Sequence, residues 1–169
     1  MSARLIVIRG NSGSGKTTVA REVRLRYGRG CALVEQDYLR RILLREHESV
    51  QEPIAADLIG LNVRYALAHG YHVVLEGILD RRRYGEMIAG LQRDHVGETH
   101  LFYIDVSFEE TLRRHATRPL AATVTGDQMR AWYQERDKLG LPGERIIPES
   151  STQVETIELI SAVFPSAEA

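Results

Sequence analysis

Eight residues near the N-terminus carry the clearest chemistry: Gly10, Asn11, Ser12, Gly13, Ser14, Gly15, Lys16 and Thr17. Glycines open backbone conformations closed to other residues and let N–H groups come close to a ligand. A run of such groups ahead of a helix N-terminus makes a cradle for an anion. The order fits G-x-x-x-x-G-K-[ST], the phosphate-loop pattern. By residue frequencies it arises by chance in a chain of this length under roughly one time in a hundred. Lys16 is spaced to reach the β- and γ-phosphates of a nucleotide, and the Thr17 hydroxyl to ligate Mg²⁺, with Thr18 next in line.

The segment 32–40 adds a second group. Asp37 follows an apolar run and Arg40 comes three residues later. A carboxylate beyond the carboxyl end of a parallel strand lies where such sheets bind ligands. Beside a γ-phosphate it can orient an acceptor hydroxyl and take its proton. Arg40 can hold an anionic or polar part of that acceptor. Asp37 also suits a helix N-cap, and the two roles are compatible. Tyr38 and Arg41 fall on the same acceptor side. Glu76 ends a third apolar run, where a carboxylate can reach Mg²⁺ through water, bind the acceptor, or stand exposed at a strand end. Alternation turns Glu35 away from the task of Asp37.

Further on, Arg114 and Arg118 are four apart and share a helix face running into a loop. Two guanidiniums there can close over a polyphosphate and stabilise charge in transfer. Alternatively they form a solvated helix end favoured by the macrodipole. Arg81, Arg82 and Arg83 read mostly as solvated surface, with an acceptor contact as the alternative. The six histidines show no ligand spacing, and Trp132 reads as packing.

The elements that must position these groups alternate along the chain. Short apolar runs at 4–9, 31–35, 71–76 and 100–106 read as buried strands, with a short fifth at 145–147. Helical patterns fall at 16–27, 37–47, 53–69, 80–93, 108–116, 126–139 and 152–163, with 117–125 as a loop. In the third of these, Ile54, Leu58, Leu61 and Tyr65 recur at helical spacing. Thr152 and Glu155 have capping-box spacing at the head of the last. Strands alternating with helices imply a mainly parallel sheet covered on both faces.

Composition narrows the partners. The chain has 169 residues, 22 Lys plus Arg, 23 Asp plus Glu and a net charge of −1. That balance argues against bulk electrostatic binding to nucleic acid or anionic membrane. Residues 1–60 carry ten basic and seven acidic residues, whereas 121–169 carry four and eight. An anion site therefore belongs toward the N-terminal part. One cysteine, Cys31, excludes an internal disulfide. With no secretory signal and no apolar stretch of membrane-spanning length, a cytoplasmic location is expected. Oligomeric state is not legible.

With these residues together, the chain resembles small P-loop kinases that phosphorylate hydroxyl groups: the polynucleotide 5′-hydroxyl kinase, zeta-toxin and chloramphenicol phosphotransferase-like group. The likeness covers about residues 4–135. It rests on the phosphate loop, Asp37 with Arg40, Glu76, and Arg114 with Arg118. It implies an α/β three-layer P-loop NTPase fold in one domain spanning 1–169. A mainly parallel five-stranded sheet would be flanked by helices, with a short helical lid at about 113–130. It also implies ATP as substrate, Mg²⁺, Lys16, Asp37, Arg40 and Arg118 as catalytic residues, and Asp37 as general base. Arg114 and Arg118 would be lid contacts to the nucleotide. Glu76-Gly77 replaces the Asp and hydroxyl residue of the phage-type polynucleotide enzymes, so a small-molecule acceptor is the leading expectation. A 5′-hydroxyl polynucleotide kinase is the alternative. A nucleotide-binding switch without transfer is a third.

Overall fold

The computed structural model describes residues 2–46, 54–116 and 124–164. Five parallel strands form one sheet: β1 (Leu5–Gly10), β2 (Cys31–Glu35), β3 (His72–Gly77), β4 (Thr99–Asp105) and β5 (Glu144–Pro148). Their spatial order is β2-β3-β1-β4-β5. The first strand is central, and every residue in it is buried. Its side chains alternate between two cores, as a strand covered on both faces requires. Leu5 and Val7 enter one core, with Val73, Leu75 and Leu101. Ile6 and Ile8 enter the other, with Val74, Phe102 and Ile104.

Helices cover each face. Helices α2 (Ile54–Ala68) and α3 (Arg81–Asp94) bury Ile59, Val63, Ile88 and Leu91 in the first core. Helices α1 (Lys16–Tyr27) and α6 (Gln153–Ser161) bury Val19, Val23, Ile157 and Ile160 in the second. The expected capping box at Thr152 and Glu155 starts α6. Two further helices, α4 (Phe108–Ala116) and α5 (Gly126–Trp132), stand beyond the carboxyl edge of the sheet. The result is a three-layer α/β fold with a fully parallel five-stranded sheet.

Two local expectations are corrected. The helix expected over 37–47 is a π-helical segment, Tyr38–Leu43, in which Leu44 N–H bonds the Leu39 carbonyl at 3.0 Å. Only Leu39 in it is buried, and Arg45, at φ 48°, ends it. Widened turns of this kind concentrate at functional sites. The helix expected over 126–139 stops at Trp132, because Tyr133 turns extended and the Gln134 peptide is bonded elsewhere. In α2 the buried stripe is Ala55, Ile59, Gly60 and Val63. Of the residues noted at helical spacing, Leu58 packs against the core, whereas Ile54, Leu61 and Tyr65 are 66%, 64% and 69% exposed. This helix is apolar on two faces, so spacing alone does not choose between them. The stripe with smaller residues is the one that packs.

Candidate active site

The phosphate loop links β1 to α1 at the centre of the sheet. Gly15 precedes the helix at φ 97°, a left-handed conformation that an L side chain would strain. Gly13, at φ 83°, lies so close to α4 that an added Cβ would stand 2.8 Å from the Thr111 carbonyl oxygen. Ser14 N–H donates to the Asn11 carbonyl at 3.1 Å, and Lys16 Nζ donates to the same oxygen at 3.2 Å. The loop is thus closed on itself, with the Lys16 ammonium folded over it.

Thr17, in the first turn of α1, donates its hydroxyl to Glu76 Oε2 at 3.2 Å. Glu76 is only 3% exposed, which corrects the reading of a carboxylate standing free at a strand end. Burial raises its pKa above the usual glutamate range, and the nearby Lys16 charge offsets part of that rise. Glu35, directly opposite in the strand register, and Asp37 push it further up. Glu35 itself pairs with Arg21 at 2.6 Å. A hydroxyl and a buried carboxylate beside a phosphate cradle suit Mg²⁺, which takes few protein ligands alongside water and phosphate oxygens. Among the described residues no group of three or more His, Cys, Asp or Glu side chains forms a metal cluster. Cys31 is buried and its thiol is pushed up to about 11, so it is no ready nucleophile.

Asp37 opens a cavity of about 530 Å³ at the carboxyl end of β2. It stands at the N-cap position of Tyr38–Leu43, as its residue type allows, but its side chain makes no capping hydrogen bond. Its carboxylate is largely exposed and approaches Arg41 Nε at 3.3 Å. Arg41 also stacks on Trp132, 5.5 Å from the ring centroid. Trp132 is therefore a wall of this cavity, not core packing alone. Arg40 lines the cavity too, but is held by Glu46 at 2.7 Å. Tyr38 is exposed and is not among the lining residues.

A second cavity, of about 570 Å³, is lined by Ser14, Gly15, Thr18, Arg114 and the segment 148–153. Among the described residues Arg114 donates to Glu110 at 2.7 Å, to the Ser14 carbonyl at 3.1 Å and to the Glu149 carbonyl at 3.2 Å. Arg113 and Arg114 together hold the Glu110 carboxyl down to about 2. The expected partner Arg118 and the centre of the expected lid, residues 117–123, lie outside the described residues.

Sequence reasoning missed the polar network on either side of the loop's first residue. Arg9, the residue before the loop, is fully buried. Its guanidinium bonds the Leu79 carbonyl at 2.9 Å, Asp137 at 2.6 Å and Glu144 at 3.1 Å. Asp137 also accepts from Arg81 N–H at 2.8 Å and lines the first cavity. Asn11 clamps the Gln134 peptide at both ends, donating to its oxygen at 2.8 Å and accepting from its N–H at 2.9 Å. The signal for Arg9 was its place at the end of a strand buried on both faces, where a charge must be paired. Nothing nearby marked Asp137, Glu144 or the 148–153 segment.

A family model described as an AAA domain matches residues 5–139, and the chain belongs to that family. No curated protein matches the sequence. Solved structures of similar fold include an APS kinase from Mycobacterium tuberculosis in complex with AMPPNP and APS. It is 16% identical at a TM-score of 0.74, with 94% of this chain and 95% of that one covered. A gluconokinase from Sinorhizobium meliloti 1021 is 17% identical at a TM-score of 0.67, covering 95% and 90%. A Deinococcus radiodurans tunicamycin resistance protein is 18% identical at a TM-score of 0.62, covering 95% and 94%. The fold is that of P-loop kinases. No helix among the described residues is long and apolar enough to cross a membrane.

Proposed function

We propose that this protein is an ATP- and Mg²⁺-dependent phosphotransferase that moves the γ-phosphoryl group to a hydroxyl of a small molecule, such as a sugar, nucleoside, nucleotide-sugar or antibiotic. The observation that carries the reading is a phosphate loop that lines one cavity, with a second cavity opening at Asp37 past the end of β2. One is lined by Ser14, Gly15 and Thr18 of the loop and its helix. The other is bordered by Asp37 and by Gln134, whose peptide the loop residue Asn11 holds. Two substrates meeting across a phosphate cradle is the layout that phosphoryl transfer needs. The kinases among proteins of this fold support the same reading.

In this mechanism the nucleotide occupies the cavity by Arg114, with its phosphates in the amides of residues 10–18. Lys16 neutralises charge on the β- and γ-phosphates. Thr17 and Glu76 would hold the metal, which when bound screens the phosphate charge. Asp37 accepts the proton of the acceptor hydroxyl and orients its oxygen toward the phosphorus. Arg40 and Arg41 border the acceptor, and Arg114 with Arg118 steadies the phosphates of the donor.

The test compares Lys16→Ala with Asp37→Ala. Nucleotide affinity should fall in the first and hold in the second, while both lose acceptor-stimulated turnover. Equal loss of nucleotide affinity in both would remove Asp37 from the acceptor side. Acceptor activity confined to 5′-hydroxyl oligonucleotides would replace the small-molecule reading by a polynucleotide one.

A further inference from the structure

The cavity that opens at Asp37 carries more positive charge than its own carboxylates can neutralise. Asp137 is already taken by the buried Arg9, and Asp80 by the N-terminus of α3, where it accepts from Arg83 N–H at 3.1 Å. Arg40 is taken by Glu46. Arg82 and Arg83 remain on the cavity wall, and among the described residues neither side chain forms an ion pair or hydrogen bond. Among the described residues Arg41 has only its 3.3 Å contact with Asp37 and its stacking on Trp132.

Resting on the phosphotransferase reading above, we infer that the acceptor is a hydroxylated anion. Its hydroxyl is offered to Asp37, and its carboxylate or phosphate is held by Arg82 and Arg83. Paired guanidiniums suit both anions, since their planar forks match carboxylate and phosphate oxygens. Asp37 at the other side repels the anionic end and so fixes which end of the molecule faces the phosphorus.

The test is calorimetric titration of the full chain saturated with Mg²⁺ and a non-hydrolysable ATP analogue. The probes come in pairs of one skeleton: glycerate with glycerol, glucuronate with glucose, and ribose 5-phosphate with ribose. At least one anionic member should bind tenfold or more tightly than its neutral partner. Arg82→Ala and Arg83→Ala should each lower that binding about tenfold, and Arg29→Ala, an exposed arginine elsewhere, should not. The carboxylate and phosphate arms separate the two kinds of anion. Equal binding within every pair, no binding by any probe, or indifference to both arginines would overturn the inference. With ATP in place of the analogue, transfer to none of the anions that bind through Arg82 and to no other alcohol would sink the phosphotransferase reading and leave the anion site standing. If the nucleotide analogue itself does not bind, the same titration without it tests the arginines alone.

Discussion

Replacing Arg9 by methionine should cost more stability than any other single change near the loop. The wild-type guanidinium side chain is 1% exposed and faces Asp137 and Glu144, themselves 18% and 6% exposed. Methionine roughly fills the stem volume but leaves two carboxylates in a dry pocket with their partner gone. Breaking a buried pair from one side typically costs about 3–5 kcal/mol. In a domain of this size about 1 kcal/mol moves the melting temperature by roughly 2–4 °C, so a fall of about 6–20 °C is expected. Circular dichroism melts at neutral pH provide the assay. The companion is the triple variant Arg9→Met, Asp137→Asn, Glu144→Gln, which removes the stranded charges and should recover at least half of the loss. A single variant melting within about 2 °C of wild type would refute the reasoning. A triple variant no better than the single one would show that lost packing, not stranded charge, is responsible.

Three further outcomes are expected. Glu76→Gln should raise the melting temperature at neutral pH while lowering activity roughly 10–100-fold, the usual effect of disturbing groups around a metal. The sign follows from burial, because the folded pKa of Glu76 is raised and its charged form is the one penalised. The thermal gap should therefore narrow as pH falls through that raised value and vanish below the ordinary glutamate range, and melts across pH read it directly. Asn11→Ala should cost about 1–3 kcal/mol in denaturant unfolding, since it leaves both ends of the Gln134 peptide without their partner. Arg114→Ala should raise the KM for ATP about tenfold, with a smaller effect on the KM for the acceptor, as steady-state kinetics would show.

Most of the architecture was legible because each strand is a short apolar run and each phosphate-loop residue has a fixed spacing. The loop, the five strands and the cap at Thr152 needed only local signals. What was not legible depends on partners far along the chain. The early end of α5 is set by Asn11, more than a hundred residues away, which draws the Gln134 peptide out of the helix. The face of α2 that packs was not legible because Ile54, Leu61 and Tyr65 are as periodic as the residues that pack. The π-helical turn at Tyr38–Leu43 has no composition of its own. At the candidate site, Lys16, Thr17, Asp37 and Glu76 were singled out by type and position. The burial of Glu76, the network of Arg9 and the grip of Arg114 on Ser14 appear only when the strands are assembled.

In the proposed reaction Asp37 delivers an alcohol to a nucleotide held in the phosphate loop. The most direct measurement is transfer of a labelled γ-phosphoryl group from ATP to a panel of small alcohols and hydroxy acids, with wild type and Asp37→Ala run in parallel. The account predicts a labelled phosphate ester with wild type, and a rate lower by about 10²–10⁴-fold with the variant at saturating ATP. Label appearing only as inorganic phosphate across the whole panel, or transfer by the variant at the wild-type rate, would contradict it.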